Sequence, residues 1–194
     1  MAILKVARMG HPVLRQVATP VDPESIPTAA VQGLIQDLLD TVDEYDGAGL
    51  AAPQVHASVR IVVLTLDPDA EMEVWINPVV TPTTKDQLES YEGCLSVPGL
   101  RGRVRRAAEV HVDALDVEGN PISLDLEGFP AIVAQHECDH LDGVLYVDRV
   151  EPRTLTFTEE HRRWGAMLWG SESSGEGDED DLLDEESPHA SPEA

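Results

Sequence analysis

Residues 136–140 read His-Glu-Cys-Asp-His within FPAIVAQHECDHL, a stretch with helical composition that Asp142-Gly143 should end. Four residues advance a helix by about 400° and roughly 6 Å, so His136 and His140 share one face and can converge on one cation. This is the strongest constraint in the chain, because the helix must turn that face toward a site rather than toward solvent. Glu137 then stands beside the pair. A Glu in that position is usually not a ligand; it takes a proton from the attacking water and returns it to the leaving group, the chemistry of metal-assisted hydrolysis. The competing reading is a solvated helix whose two histidines fall four apart by chance.

A catalytic metal site needs a third protein ligand and an open position. The extended H-E-x-x-H-x-x-G-x-x-H pattern of one metalloprotease class runs as far as Gly143, but Tyr146 holds its last position. Two candidates remain. Glu159 or Glu160, downstream, would make a His2Glu zinc endoprotease. Cys94, upstream in Glu92-Gly93-Cys94-Leu95-Ser96, follows a glycine and precedes Pro98-Gly99, an irregular turn able to aim a thiolate. Cys138 lies between the histidines on another face and should pack as a small apolar group. Asp139 could pair with Arg103, Arg105 or Arg106, or orient a histidine.

The stretch GAGLAAPQ, residues 47–54, has side chains too small for an ordinary helix or strand. Its glycines let backbone approach a ligand closely, and Gln54 offers an amide donor to a developing oxyanion; a plain tight loop is the competing reading.

The rest of the chain supplies the frame. Thr28 should cap a helix running to about Tyr45, with Val31, Leu34, Ile35, Leu38, Leu39 and Val42 at helical spacing. Strands are expected at 60–66, at 74–77 ahead of Pro78, at 110–117 and at 122–126, the last two joined as a hairpin through Glu118-Gly119-Asn120-Pro121. A final helix is expected from about Thr154 to Trp169. Helices near both ends, with short antiparallel strands packed around the H-E-x-x-H helix, make an α+β domain rather than βαβ units.

Thirteen Lys and Arg against 37 Asp and Glu give a formal charge of −24, which argues against broad binding to a phosphate backbone. Residues 171–194 hold ten acids and no Lys or Arg, leaving 27 against 13, or −14, on residues 1–170. The division expected is a catalytic domain over 1–170 and a disordered acidic tail over 171–194. Two cysteines do not make a secreted disulfide framework, and no stretch reads as a signal peptide or a membrane span of ~18 apolar residues. A cytoplasmic protein without membrane attachment is the expectation.

The three stretches GAGLAAPQ at 47–54, EGCLS at 92–96 and QHECDHL at 135–141, in this order, resemble the signature motifs of the peptide deformylases, and HPVLRQVATPV at 11–21 resembles that family's start. The likeness spans roughly residues 5–150. It implies that Cys94, His136 and His140 hold one divalent metal, with Fe(II) favoured and zinc, nickel or cobalt as alternatives. It implies further that Glu137 is the general acid/base, and that the Gln54 side chain and the Leu95 backbone N–H are oxyanion donors. The substrate would be the N-formyl group of a new polypeptide, released as formate.

By the same resemblance Gly49 pairs with the substrate backbone, Arg101 contacts it further along, and Phe129, Ile132 and Val133 form an apolar pocket for its methionine. The partners implied are nascent formyl-methionyl polypeptides, with no sequence-specific nucleic-acid binding. Some members dock on the ribosome through a basic terminal helix. Here Arg162 and Arg163 are followed by ten acids, so contact with that particle would be transient.

Overall fold

The computed structural model describes residues 2–67 and 69–169. The acidic segment 171–194, expected to be disordered, lies outside the described residues.

The apolar stripe after Thr28 forms helix α1, Ala29–Glu44, burying Ile35, Leu38 and Val42. Thr28 stands at its N-cap position, but the hydroxyl donates to the Ser25 carbonyl at 2.6 Å instead of accepting from the first turn. Two strands follow, β1 at Gly49–Ala51 and β2 at Ile61–Leu64. All four residues of β2 are buried, and alternation sends them to two different cores. Ile61 and Val63 join Leu38, Val42 and Ile76 beneath α1, whereas Val62 and Leu64 join Trp75, Val110 and Ala134 on the other face. Fully burying each such side chain contributes about 1.5–3 kcal/mol.

Strand β3, Glu73–Pro82, does not stop ahead of Pro78 as the sequence suggests. The pairing register with the later strand β6 shifts between Ile76 and Val79, and Asn77 adopts φ 54°, which places the proline at a bulge where no ladder hydrogen bond is lost. Asn77 is fixed there by its side chain, which accepts from Val21 N–H and donates to Val21 C=O, both at 2.8 Å.

Next come β4, Gln87–Gly93, and β5, Leu100–Ala107, an antiparallel pair, then β6, Glu109–Leu115, and β7, Pro121–Glu127, the expected hairpin. Asp116 closes the hairpin turn by accepting from Glu118 and Asn120 N–H. Helix α2 spans Phe129–Leu141, as its punctuation predicts. The short β8, Thr156–Phe157, pairs with β5, so the last helix α3, Thr158–Trp169, begins later than expected.

The strands make a five-stranded sheet in the order β1-β2-β3-β6-β7 and a three-stranded sheet β4-β5-β8, with every pairing antiparallel. This α+β arrangement sets α2 against β1, β2, β3 and β7 of the first sheet and against β5 of the second. A third cluster, including Leu14, Val104, Leu145 and Tyr146, fills the space beside the smaller sheet. No helix among the described residues is long and apolar enough to cross a membrane.

Candidate metal and hydrolytic site

Three chain segments converge where the two sheets meet. The β4 strand delivers Cys94 just past its end, in a turn closed by Val97 N–H on Cys94 C=O at 2.9 Å. Helix α2 delivers His136 and His140 from successive turns, and one donor atom from each of the three side chains lies within 4.8 Å of the other two. The Cys94 Sγ to His140 Nε2 distance is 3.3 Å, close to the roughly 3.5 Å between donors on one tetrahedral ion. A thiolate and two imidazoles form a donor set suited to zinc, iron, nickel or cobalt. The residues present therefore fit a divalent metal. Glu159 and Glu160 stand on α3, outside the group, and Glu160 accepts from Trp164 Nε1, so the His2Glu arrangement is not favoured.

His136 is oriented from behind. Its Nδ1 is 2.8 Å from Glu92 Oε2, leaving Nε2 to face the site. Glu92 is in turn held in a two-pronged ion pair with the buried Arg106, at 2.8 and 2.9 Å. Arg106 also donates to Asp139, which accepts two bonds from Arg149 at 2.7 Å each. Of the three Arg partners offered for Asp139, the structure selects Arg106 and adds Arg149. Burial alone would raise the Glu92 pKa, but hydrogen bonds from Arg106 and His136 outweigh it and bring the carboxyl down to about 2. Such buried pairs are costly to break singly, at about 3–5 kcal/mol. What sequence reasoning missed is the link from Arg106 through Glu92 to His136.

Glu137 is buried beside the ligands, and its Oε2 has no hydrogen-bond partner. Burial pushes its carboxyl up to about 7; Glu92 adds to the rise, while His136 and Arg106 oppose it. A base near neutrality is matched to proton transfer at physiological pH. The carboxylate lies against the backbone of Gly49, where an added Cβ would come within 2.7 Å of Oε1 and 2.8 Å of Cγ. GAGLAAPQ is thus not simply a loop. Gly49, Leu50 and Ala51 pair with Leu64, Val63 and Val62, and the small residues let the strand pass directly over the glutamate. The stretch continues into a 3-10 turn, Ala52–Val55. There Gln54 Oε1 accepts from Ala51 N–H at 2.8 Å, which directs its amide nitrogen to Cys94 Sγ at 3.5 Å and Ser96 Oγ at 3.2 Å.

Of these groups, Gln54, Glu92, Cys94, His136 and Glu137 line a cleft of about 1550 Å³. Gly49, Leu95 and Arg101 line it, as do Phe129, Ile132 and Val133 from the first turns of α2. Arg101 donates to Tyr91 C=O at 3.4 Å and makes no pair with Glu92, which Arg106 occupies. Cys138 is buried away from the ligand group, and burial pushes its thiol pKa up. Two histidines outside the ligand group have other partners: His56 packs edge-on to His11, and His111 bonds Asp125 across the β6–β7 hairpin.

The chain matches the polypeptide deformylase family over residues 3–155. A peptide deformylase 1 from Prochlorococcus marinus is 46% identical over 170 residues, covering 82% of this chain and 88% of that protein. A peptide deformylase structure from Thermotoga maritima matches with a TM-score of 0.74 at 34% identity, covering 78% of this chain and 100% of the other. A class I type b peptide deformylase from Acinetobacter baumannii, with Met-Ala-Ser bound, gives 0.73 at 34% identity over 77% and 99% of the two chains. With identity of this order running through the whole fold, the chain belongs to the polypeptide deformylase family.

Proposed function

We propose that Cys94, His136 and His140 hold one divalent metal ion and that Glu137 carries the proton in the reaction typical of this family. That reaction is hydrolysis of the N-formyl group of newly made polypeptides, releasing formate, and the chain is a metal-dependent hydrolase of protein biosynthesis. One observation carries the assignment of roles: three soft donors within 4.8 Å of one another, beside a buried carboxylate with an unpartnered oxygen, in a cleft open to a peptide.

A bound divalent ion supplies Lewis acidity, polarising the formyl carbonyl and acidifying water. Glu137 accepts the proton of the attacking water and passes it to the amine as the C–N bond breaks. The Gln54 amide, aimed by Ala51 N–H, and the Leu95 backbone N–H donate to the oxyanion that forms. Phe129, Ile132 and Val133 take the methionine side chain. Gly49, on an edge strand, pairs with the peptide backbone, and Arg101 meets it further along. Fe(II) is the metal we favour over zinc, nickel or cobalt, and the cytoplasm is the location we assign. Residues 1–170 form the catalytic unit and 171–194 an appended acidic tail.

Formate should appear when anaerobically purified protein meets formyl-Met-Ala-Ser, with iron as the main metal by elemental analysis. Absence of formate from metal-replete protein would sink the assignment, and full activity with zinc alone would refute iron.

Gly49→Ala gives a separate check. Gly49 has no left-handed backbone to forbid alanine, so the substitution should fold, but its Cβ must displace Glu137. Misplacement on the order of 1 Å can cost about 10²-fold in rate. Steady-state kinetics should show kcat down by about that factor with unchanged thermal unfolding; an unaltered kcat would mean the carboxylate needs no such fit.

A further inference from the structure

The mouth of the cleft carries charge that the chemistry at its floor does not use. Lys5, Arg8, Lys85, Arg101, Arg153 and Arg162 are the cations with no carboxylate partner among the described residues; the other seven of the thirteen are ion-paired. Four of those six, Lys5, Arg8, Arg101 and Arg162, line the cleft. The carboxylates that share it are Glu92 and Glu137, both buried, and Asp46, the single exposed one among the described residues. A chain of formal charge −24 thus places four of its six unpaired cations around one opening.

The placement is built into the backbone. On one side of Arg8, Ala7 N–H donates to Gln54 C=O at 2.7 Å; on the other, Met9 N–H donates to Ser96 C=O at 2.7 Å. Arg8 is therefore pinned between the two segments that carry Gln54 and Cys94. Thr158 N–H donates to Gly99 C=O at 3.0 Å, which ties the start of α3 to the turn after Cys94. Arg162 follows one helical turn later on the same face, and both residues line the cleft. Arg101 lies between these in β5, with Nη2 on Tyr91 C=O and a buried Nε that has no partner.

We propose that this cationic collar makes the enzyme select formyl peptides with Asp or Glu in the residues that follow the methionine. The inference rests on the deformylation reading, which puts the formyl group at the floor and the following side chains at the mouth. The cations line the inside of a concave cleft, where a single extended chain reaches them, so a peptide suits them better than folded nucleic acid. Exposed charges of this kind act over about 8 Å at physiological salt, and they act on encounter and binding more than on the chemical step.

The test compares three C-terminally amidated peptides on the full-length metal-loaded protein: formyl-Met-Ala followed by Asp-Glu, by Asn-Gln, or by Lys-Arg. At low salt, kcat/KM for formate release should be higher for the acidic peptide than for the neutral one by about fivefold or more, lowest for the basic one, with the difference in KM. The advantage should collapse at about 0.5 M salt, where charges are screened within a few ångströms. Arg8→Gln combined with Arg162→Gln should shrink it, whereas Lys85→Gln and Arg153→Gln, away from the cleft, should not. Equal kcat/KM for all three peptides, or an advantage untouched by Arg8→Gln and Arg162→Gln, would overturn the proposal. Inhibition by a single-stranded RNA oligonucleotide without any peptide preference would also overturn it and assign the collar to nucleic acid. Formate from none of the peptides would instead count against deformylation itself.

Discussion

Cys94→Ala should lose the metal, and Glu160→Ala should keep it. In the proposed site Cys94 is the third ligand, with Sγ 3.3 Å from His140 Nε2. Without it, two imidazoles on one helix face remain, short of the three protein ligands a catalytic site requires. Loss of an outer hydrogen-bond partner alone lowers metal affinity by about 10–100-fold, and removing a ligand should exceed that. Glu160 bonds Trp164 on the surface of α3, so its loss should leave affinity within error. Metal content after dialysis, and titration with cobalt, would read both variants. Retention by Cys94→Ala together with loss by Glu160→Ala would move the third ligand to α3 and revive the endoprotease.

The second large effect is expected for Glu137→Gln, with metal retained and kcat lower by about 10²–10⁴-fold, the usual contribution of a positioned proton carrier. Glutamine keeps the shape that fits over Gly49 but cannot accept and return a proton. Its stability should hold or rise, because the wild-type chain buries a carboxylate with an unpartnered oxygen whose pKa burial has pushed to about 7. Metal analysis, thermal unfolding and formate release on one preparation would separate the roles. A metal-loaded variant with undiminished turnover would mean the site is a structural metal centre that needs ligands but no base.

How far the sequence alone reached depended on what each segment used to hold itself together. Helices α1 and α2 and the β6–β7 hairpin were legible, because apolar periodicity and turn residues specify them directly. Strands β4 and β5 were not, for they carry little apolar alternation. Their pairing is reinforced by charge, with Glu89 against Arg103 and Arg105, and Glu92 against Arg106. A signal was nevertheless present in the phase of β5: Gly102, Val104 and Arg106 all point inward, and a cation at an inward strand position demands a buried anion. Strand β1 was hidden because it is only three residues long and opens on Gly49, whose missing side chain makes room for Glu137, not for want of pairing partners. Strand β3 outran its proline because Asn77 takes a left-handed conformation that no local pattern announces.

On the proposed binding mode, the brevity of β1 limits how much of a substrate backbone can pair with the protein. Gly49–Ala51 is an edge strand of three residues, paired on one side to β2. An extended chain laid along it gains backbone partners over no more than about 10 Å, at about 3.4 Å per residue. Everything beyond those first positions stays outside the ladder, whatever its sequence and however far synthesis has advanced. In that mode the ladder therefore grips only the start of a peptide, and any choice among sequences falls to the side chains that line the cleft rather than to the strand.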